Sequence, residues 1–385
     1  MKKLKVMTVL GTRPEIIRLS RTIAALRQHT HHILVHTGQN YDPSLSKVFF
    51  HELGLDPPDH YLDAGGGSLG ELLARTLTGT ERVIQREKPD VMLILGDTNS
   101  SIAGIMARRM RIPLYHMEAG NRCFDENVPE EINRRVIDHL ADFNLVYTEH
   151  SRRNLLAEGF PARRILLTGS PMFEVLNHYR SGIEASRALD RLGLEKGKYF
   201  LASIHREENV DHPAHLEELL QSLRLLSKHA GLPVVMGTHP RTRKRLQGLG
   251  VEEYKCLRFV PPFGFFDYVW LQMNAACVLS DSGTISEESA ILNFPAISPR
   301  RAIERPEALD SGTITLTGFG ADSIIAAVQQ AMEEKAIGQL RQIPAEYSVP
   351  DTSRRVLRLI LGTARLSNVW KGIDMPRLED KEEEV

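Results

Sequence analysis

The chain has 385 residues, of which 42% are hydrophobic and 25% charged, with a formal net charge of −1. That length exceeds one ordinary core and gives two domains of roughly 150–200 residues each. The near-neutral balance excludes a global field for nucleic acid or an anionic membrane, so an anionic ligand must be met by local arginines.

Lys5-Val6-Met7-Thr8-Val9-Leu10 reads as a β-strand closed by Gly11, and a helical pattern follows from Pro14. Strands follow at 33–37, 91–95, 113–117, 143–147 and 165–168, with helical patterns between them. The 91–95 run is wholly apolar, as expected of a strand covered on both faces. From Gly169 to Tyr199 the rhythm changes to a polar helical stretch that reads as a crossover between domains. Strand patterns then resume at 199–203, 233–236, 257–260, 276–279, 294–297 and 313–316. Helical patterns near 323–335 and 352–366 close the fold, and the acidic end from Glu379 reads as a solvated tail. The expected domains are 1–170 and 171–350, then a helix at 351–370 packing back on the first domain, then a charged tail at 371–385.

Two alternating series of this kind predict an α/β protein with two Rossmann-like, doubly wound domains facing a cleft, of the glycosyltransferase-B type. No apolar run is long enough to span a bilayer, and Met1-Lys2-Lys3-Leu4 leads straight into a strand. The cysteines, Cys123, Cys256 and Cys277, lack CxxC spacing, which suits reduced thiols in the cytoplasm.

The loops after the strands carry the chemistry. Gly11-Thr12-Arg13 is not a GxGxxG fingerprint, so no nicotinamide cofactor is expected. Gly11 nevertheless lets backbone approach a ligand, and Arg13 offers a bidentate phosphate donor at a helix start. A surface arginine beside a tight turn is the competing reading. Asp97 ends a strand, where it either caps the next helix or faces a cleft together with Glu118. The stretch from His116 to Arg135 is densely charged; Glu130 and Glu131 suit a helix first turn whatever else they do. His205 and Arg206 end the first strand of the second series, placed for a diphosphate or a proton transfer. His239-Pro240-Arg241-Thr242-Arg243 repeats the His-Arg theme but reads equally well as a basic surface loop. Ser282-Gly283 at another helix start offers donors to phosphate, with Glu287 and Glu288 one turn on. No HExxH, cysteine cluster or EF-hand spacing points to a metal.

Taken in order, Gly11-Thr12-Arg13-Pro14-Glu15, Gly96-Asp97-Thr98, Met117-Glu118-Ala119-Gly120, Pro129-Glu130-Glu131-Ile132-Asn133-Arg134, His205-Arg206-Glu207 and Asp281-Ser282-Gly283 resemble the non-hydrolysing UDP-N-acetylglucosamine 2-epimerase family over nearly the whole chain. The wording of 36–42, 116–125, 169–175 and 205–211 is similar to one subgroup, the UDP-2-acetamido-2,6-dideoxy-β-L-talose 2-epimerases of capsule and O-antigen precursor synthesis. The resemblance implies C2 inversion by anti elimination of UDP to a 2-acetamidoglycal and re-addition, with no cofactor, in a homodimer. It also implies catalytic roles for Asp97, Glu118, Glu130 and His205. Arg13, Ser282 and Gly283 would contact diphosphate, Glu288 the ribose and Tyr268 the uracil; Arg18, Arg122 and Arg206 are expected on the substrate. Two departures stand out. Arg18 replaces a frequent lysine, and Ala64-Gly65-Gly66-Gly67 replaces a stretch that holds an activating UDP-sugar in some relatives.

Overall fold

Within each predicted strand, alternate side chains enter different apolar layers, and that alternation fixes how the sheets are covered. Val91, Leu93 and Leu95 join one buried cluster while Met92 and Ile94 join another, so helices cover both faces of the strand. The computed structural model describes residues 3–39, 43–210, 212–238, 245–246, 255–338 and 342–373. Asn40-Tyr41-Asp42, Asp211, the basic loop at 239–243 and the tail from 374 lie outside the described residues.

The first sheet contains β1 (Lys5–Leu10), β2 (His31–His36), β3 (His60–Tyr61), β4 (Val91–Leu95), β5 (Leu114–Met117), β6 (Phe143–Val146) and β7 (Ile165–Leu167). Its strands are parallel, in the order β3-β2-β1-β4-β5-β6-β7. The second contains β8 (Phe200–Ser203), β9 (Val234–Gly237), β10 (Leu257–Val260), β11 (Cys277–Ser280), β12 (Ala296–Ser298) and β13 (Thr315–Leu316). Its order is β10-β9-β8-β11-β12-β13, again parallel. The strand order reverses beside β1 and β4 in one domain and beside β8 and β11 in the other. Ligands of open α/β sheets bind in the crevices at such reversals. β3 is the one strand without a sequence expectation, because a two-residue edge pairing leaves no apolar run.

The crossover helices meet both domains: Met172, Val175, Leu176, Tyr179 and Ile183 pack in one buried cluster with residues of β1 and β4 and with Phe265 and Val269. Tyr179 also lies 5.8 Å from the Phe266 ring. Tyr179 donates its hydroxyl to the Leu53 carbonyl at 2.7 Å, fixing the crossover there. Helix Thr352–Thr363 returns to the same cluster through Val356, Leu357 and Ile360. Each such burial stabilises the fold by about 1.5–3 kcal/mol. Among the described residues, no helix is long and apolar enough to cross a membrane.

Candidate active site

Gly11 follows β1 because nothing larger fits: a Cβ there would collide with the hydroxyls of Thr37 and Ser100. Thr12 then opens helix Arg13–His29 with a capping box. Glu15 turns back to accept the backbone N–H groups of Gly11 at 2.6 Å and Thr12 at 2.9 Å. This box sets Arg13 in the first helical turn, half-buried at the cleft, with its guanidinium 5.8 Å from the centre of the Phe49 ring. Among the described residues no carboxylate pairs with it. Arg13 lines a cavity of about 360 Å³ together with Arg18, His205, Tyr268, Ser282 and Glu288.

From the second domain, Ser282, Thr284 and Glu288 bring the first turn of helix Ile285–Leu292 to that cavity. The positive end of the helix dipole there favours an anion. Gly283 is required by a close approach, since a Cβ would lie 2.8 Å from a Glu304 carboxylate oxygen. Glu288 is buried and accepts from Gln272 Nε2 at 2.6 Å; burial raises its pKa. Tyr268 spends its hydroxyl on Ser203 and Ser280, so its ring face, near-parallel to Phe263 at 6.4 Å, is what it offers the cavity.

His205 projects from the end of β8, its side chain about half exposed (48%), with Nδ1 at 3.1 Å from Asp281. Asp281 is fully buried and also accepts the backbone N–H groups of His205 and Arg206, each at 3.0 Å, and Asn209 Nδ2 at 2.9 Å. Burial opposes its charge, yet His205 and these donors bring its pKa down to about 2. A permanent carboxylate on Nδ1 selects the tautomer with Nδ1–H and leaves Nε2 for chemistry.

Of the acids of the first domain, Glu118 lies one side chain beyond the cavity, behind Arg18. Glu118, in the left-handed region at φ 66°, accepts from Arg18 and, at 2.5 Å, from Arg305. Asp97 is ion-paired with Arg134 at 2.7 Å and keeps 21% of its side chain exposed. Burial raises its pKa; Arg134 opposes this, and Glu118 and Glu304 add to it. Glu130 begins helix Pro129–Leu140, half-buried and one turn before Arg134 on the same face. Its neighbour Glu131 is the structural acid of the pair, bonded to the Cys123 N–H at 3.1 Å and to Arg134 and Arg135.

Two arginines differ from expectation. Arg122 does not face a ligand: its side chain is wholly buried, bonded to Asp138 at 2.7 Å and bidentate to Glu158. Arg18 reaches the cavity wall, but its guanidinium is held by Glu118 and Glu287. Arg206 lies across from Gly283 and is tied to Glu304 at 2.5 Å. Arg305 and Glu304 stand outside every motif read from the sequence, while Glu287 and Arg134 stand inside motifs without a role of their own. The available signal was the segment from Arg300 to Glu307, densely charged yet directly after a buried strand.

A family model described as UDP-N-acetylglucosamine 2-epimerase matches residues 24–361. The chain belongs to the UDP-N-acetylglucosamine 2-epimerase family. A solved family structure from Rickettsia bellii superposes with a TM-score of 0.89 at 45% identity, covering 96% of this chain and all of that one. The Methanocaldococcus jannaschii UDP-GlcNAc 2-epimerase, solved in complex with UDP-GlcNAc and UDP, gives 0.87 at 32% identity, over 93% of this chain and 100% of that one. A curated relative from Pseudomonas aeruginosa, a UDP-2,3-diacetamido-2,3-dideoxy-D-glucuronate 2-epimerase, is 34% identical over 335 residues, 86% of this chain and 92% of its own length. UDP-N-acetylglucosamine 2-epimerase relatives thus share the two parallel α/β domains found here, and they include names with differently decorated sugars.

Proposed function

We propose that the protein inverts C2 of a UDP-linked 2-acetamido sugar by anti elimination of UDP and re-addition through a 2-acetamidoglycal. The observation that carries this is the division of labour around the cavity. Arg13, which pairs with no carboxylate among the described residues, a helix start and Tyr268 line it, and Arg18 in its wall is bonded to Glu118, with Asp97 among the charges that act on each other there. The C2 hydrogen has no neighbouring carbonyl, so removing it alone leaves an unstabilised carbanion. Expulsion of UDP as the proton leaves avoids that, and needs cations on the diphosphate and a carboxylate near C2. Asp97, whose pKa burial raises, is a stronger base than an exposed aspartate and suits that step together with Glu118 and Glu130. His205 Nε2 and Arg13 stabilise the departing diphosphate, Glu288 receives the ribose hydroxyls, and Tyr268 stacks on uracil.

For the sugar itself we propose UDP-2-acetamido-2,6-dideoxy-β-L-talose, converted to UDP-N-acetyl-L-fucosamine for surface polysaccharide. This rests on the wording of the segments around His36, His116, Gly169 and His205. UDP-GlcNAc is the competing substrate, favoured by the names of most relatives. Competition between the two sugars decides it. Preference for the talose sugar by about tenfold or more in kcat/KM is expected. Turnover of UDP-GlcNAc alone overturns the sugar and keeps the reaction.

A further inference from the structure

Glu118 and Glu287 come from different domains, and Arg18 and Arg305 lie between them. Arg18 donates to Glu118 and reaches Glu287 at 3.4 Å; Arg305 donates to Glu118 at 2.5 Å and is ion-paired with Glu287 at 3.2 Å. The quartet is buried, balanced in charge and alternating in sign, with Arg18 and Glu118 from the first domain and Arg305 and Glu287 from the second. Arg305 is 1% exposed, its guanidinium 5.9 Å from the Tyr147 ring centre. Pro306 and a short helix follow directly and fix its backbone. Glu287 is itself pinned by Ser170 and lies next to Glu288, in the helix whose first turn faces the diphosphate end.

We infer that Arg305 is a positioning residue, which holds the Glu118 carboxylate for proton transfer only when the two domains are closed on each other. This rests on the proposed role of Glu118 in the epimerisation. One Glu118 oxygen is held from its own domain by Arg18 and the other from across the cleft by Arg305. When the domains separate, that oxygen keeps only the long 3.4 Å contact from the Asn121 amide, and the carboxylate is held less firmly. Ligand binding at the helix of Glu287 and Glu288 is thereby linked to the geometry of a catalytic acid in the other domain. The groups facing Glu118 are Arg18, Arg305, Glu287, Asp97, Tyr147 and the Asn121 amide. Arg305 is the one that arrives as a cation from the second domain.

Removing Arg305 alone leaves buried carboxylates unpaired, so the informative variant is Arg305→Met/Glu287→Gln, compared with Glu287→Gln. The double variant leaves Arg18 and Glu118 as a neutral pair, whereas Glu287→Gln keeps both arginines against one carboxylate. In the presence of UDP, the Glu118 carboxyl carbon is followed by NMR of glutamate-labelled protein, assigned with Glu118→Gln. In Glu287→Gln its resonance is a single sharp line, and loss of Arg305 displaces or broadens it. The turnover number kcat falls about 30-fold or more while KM stays within about threefold. Arg305→Lys, which keeps the charge but not the fork, recovers part of kcat. A Glu118 resonance unchanged by the loss of Arg305, or kcat within about threefold of Glu287→Gln, overturns the inference. If no UDP-sugar is epimerised by any form but the resonance still changes, the hold of Arg305 on Glu118 stands and the assigned reaction falls.

Discussion

Arg122 shows what a charged residue does when its partners lie within the chain. All three of its nitrogens are used by Asp138, Glu158 and the Asn121 carbonyl, and Asp138 also receives His116 and the Gly120 N–H. Arg122→Met therefore leaves a buried carboxylate without its cation, at a cost of about 3–5 kcal/mol. Urea unfolding measures this, and the folded fraction is expected to keep its UDP affinity within about threefold by calorimetry. A tenfold or greater loss of UDP affinity at unchanged stability would return Arg122 to the ligand. In the sequence, Arg122 and Arg13 look alike, each a loop arginine after a strand. What separates them is Asp138, sixteen positions along on a helix that folds back beneath Arg122. Arg305 is the opposite case, because Glu118 lies in the other domain and Glu287 eighteen positions back, so no local pattern marks it.

At the level of elements, the junction of β1 and helix Arg13–His29 stores a pH dependence. Glu15 is buried and its pKa is raised to about 7, chiefly by burial, against hydrogen bonds from Thr98, Gly11 and Thr12. Below pH 4.5 folded and unfolded chains both carry the proton. Between 4.5 and about 7 the unfolded chain ionises first, so stability falls as pH rises, by roughly 3 kcal/mol in all, and then levels off. Glu15→Gln is expected to flatten that part of the stability curve in denaturant titrations from pH 4 to 8. An equally steep curve in the variant would assign the slope to another group. The strands themselves were plain in the sequence, because parallel strands buried on both faces must be continuous apolar runs. The packing of the crossover helices was not, because their apolar residues meet both domains and no local pattern records which.

Across the whole molecule, two sheets with reversed strand orders bring their loop ends to one cleft. Helix Thr352–Thr363, the crossover helices and Phe265 and Val269 of the second domain enter one apolar cluster. The two domains are therefore joined by apolar packing there and by the charge quartet at the site. Paired loops were legible in the sequence because strand ends with acids or histidines recur in both halves. Their mutual distances were not legible, since no sequence pattern registers one domain on the other. The central claim is that the C2–H bond breaks and reforms while UDP departs and returns. It is tested by incubating the protein with UDP-GlcNAc or the UDP-linked talose sugar in D2O. The expected result is the C2 epimer with deuterium at C2, and a trace of glycal and free UDP. Epimer formed with no deuterium at C2, or no epimer from either sugar, would contradict it.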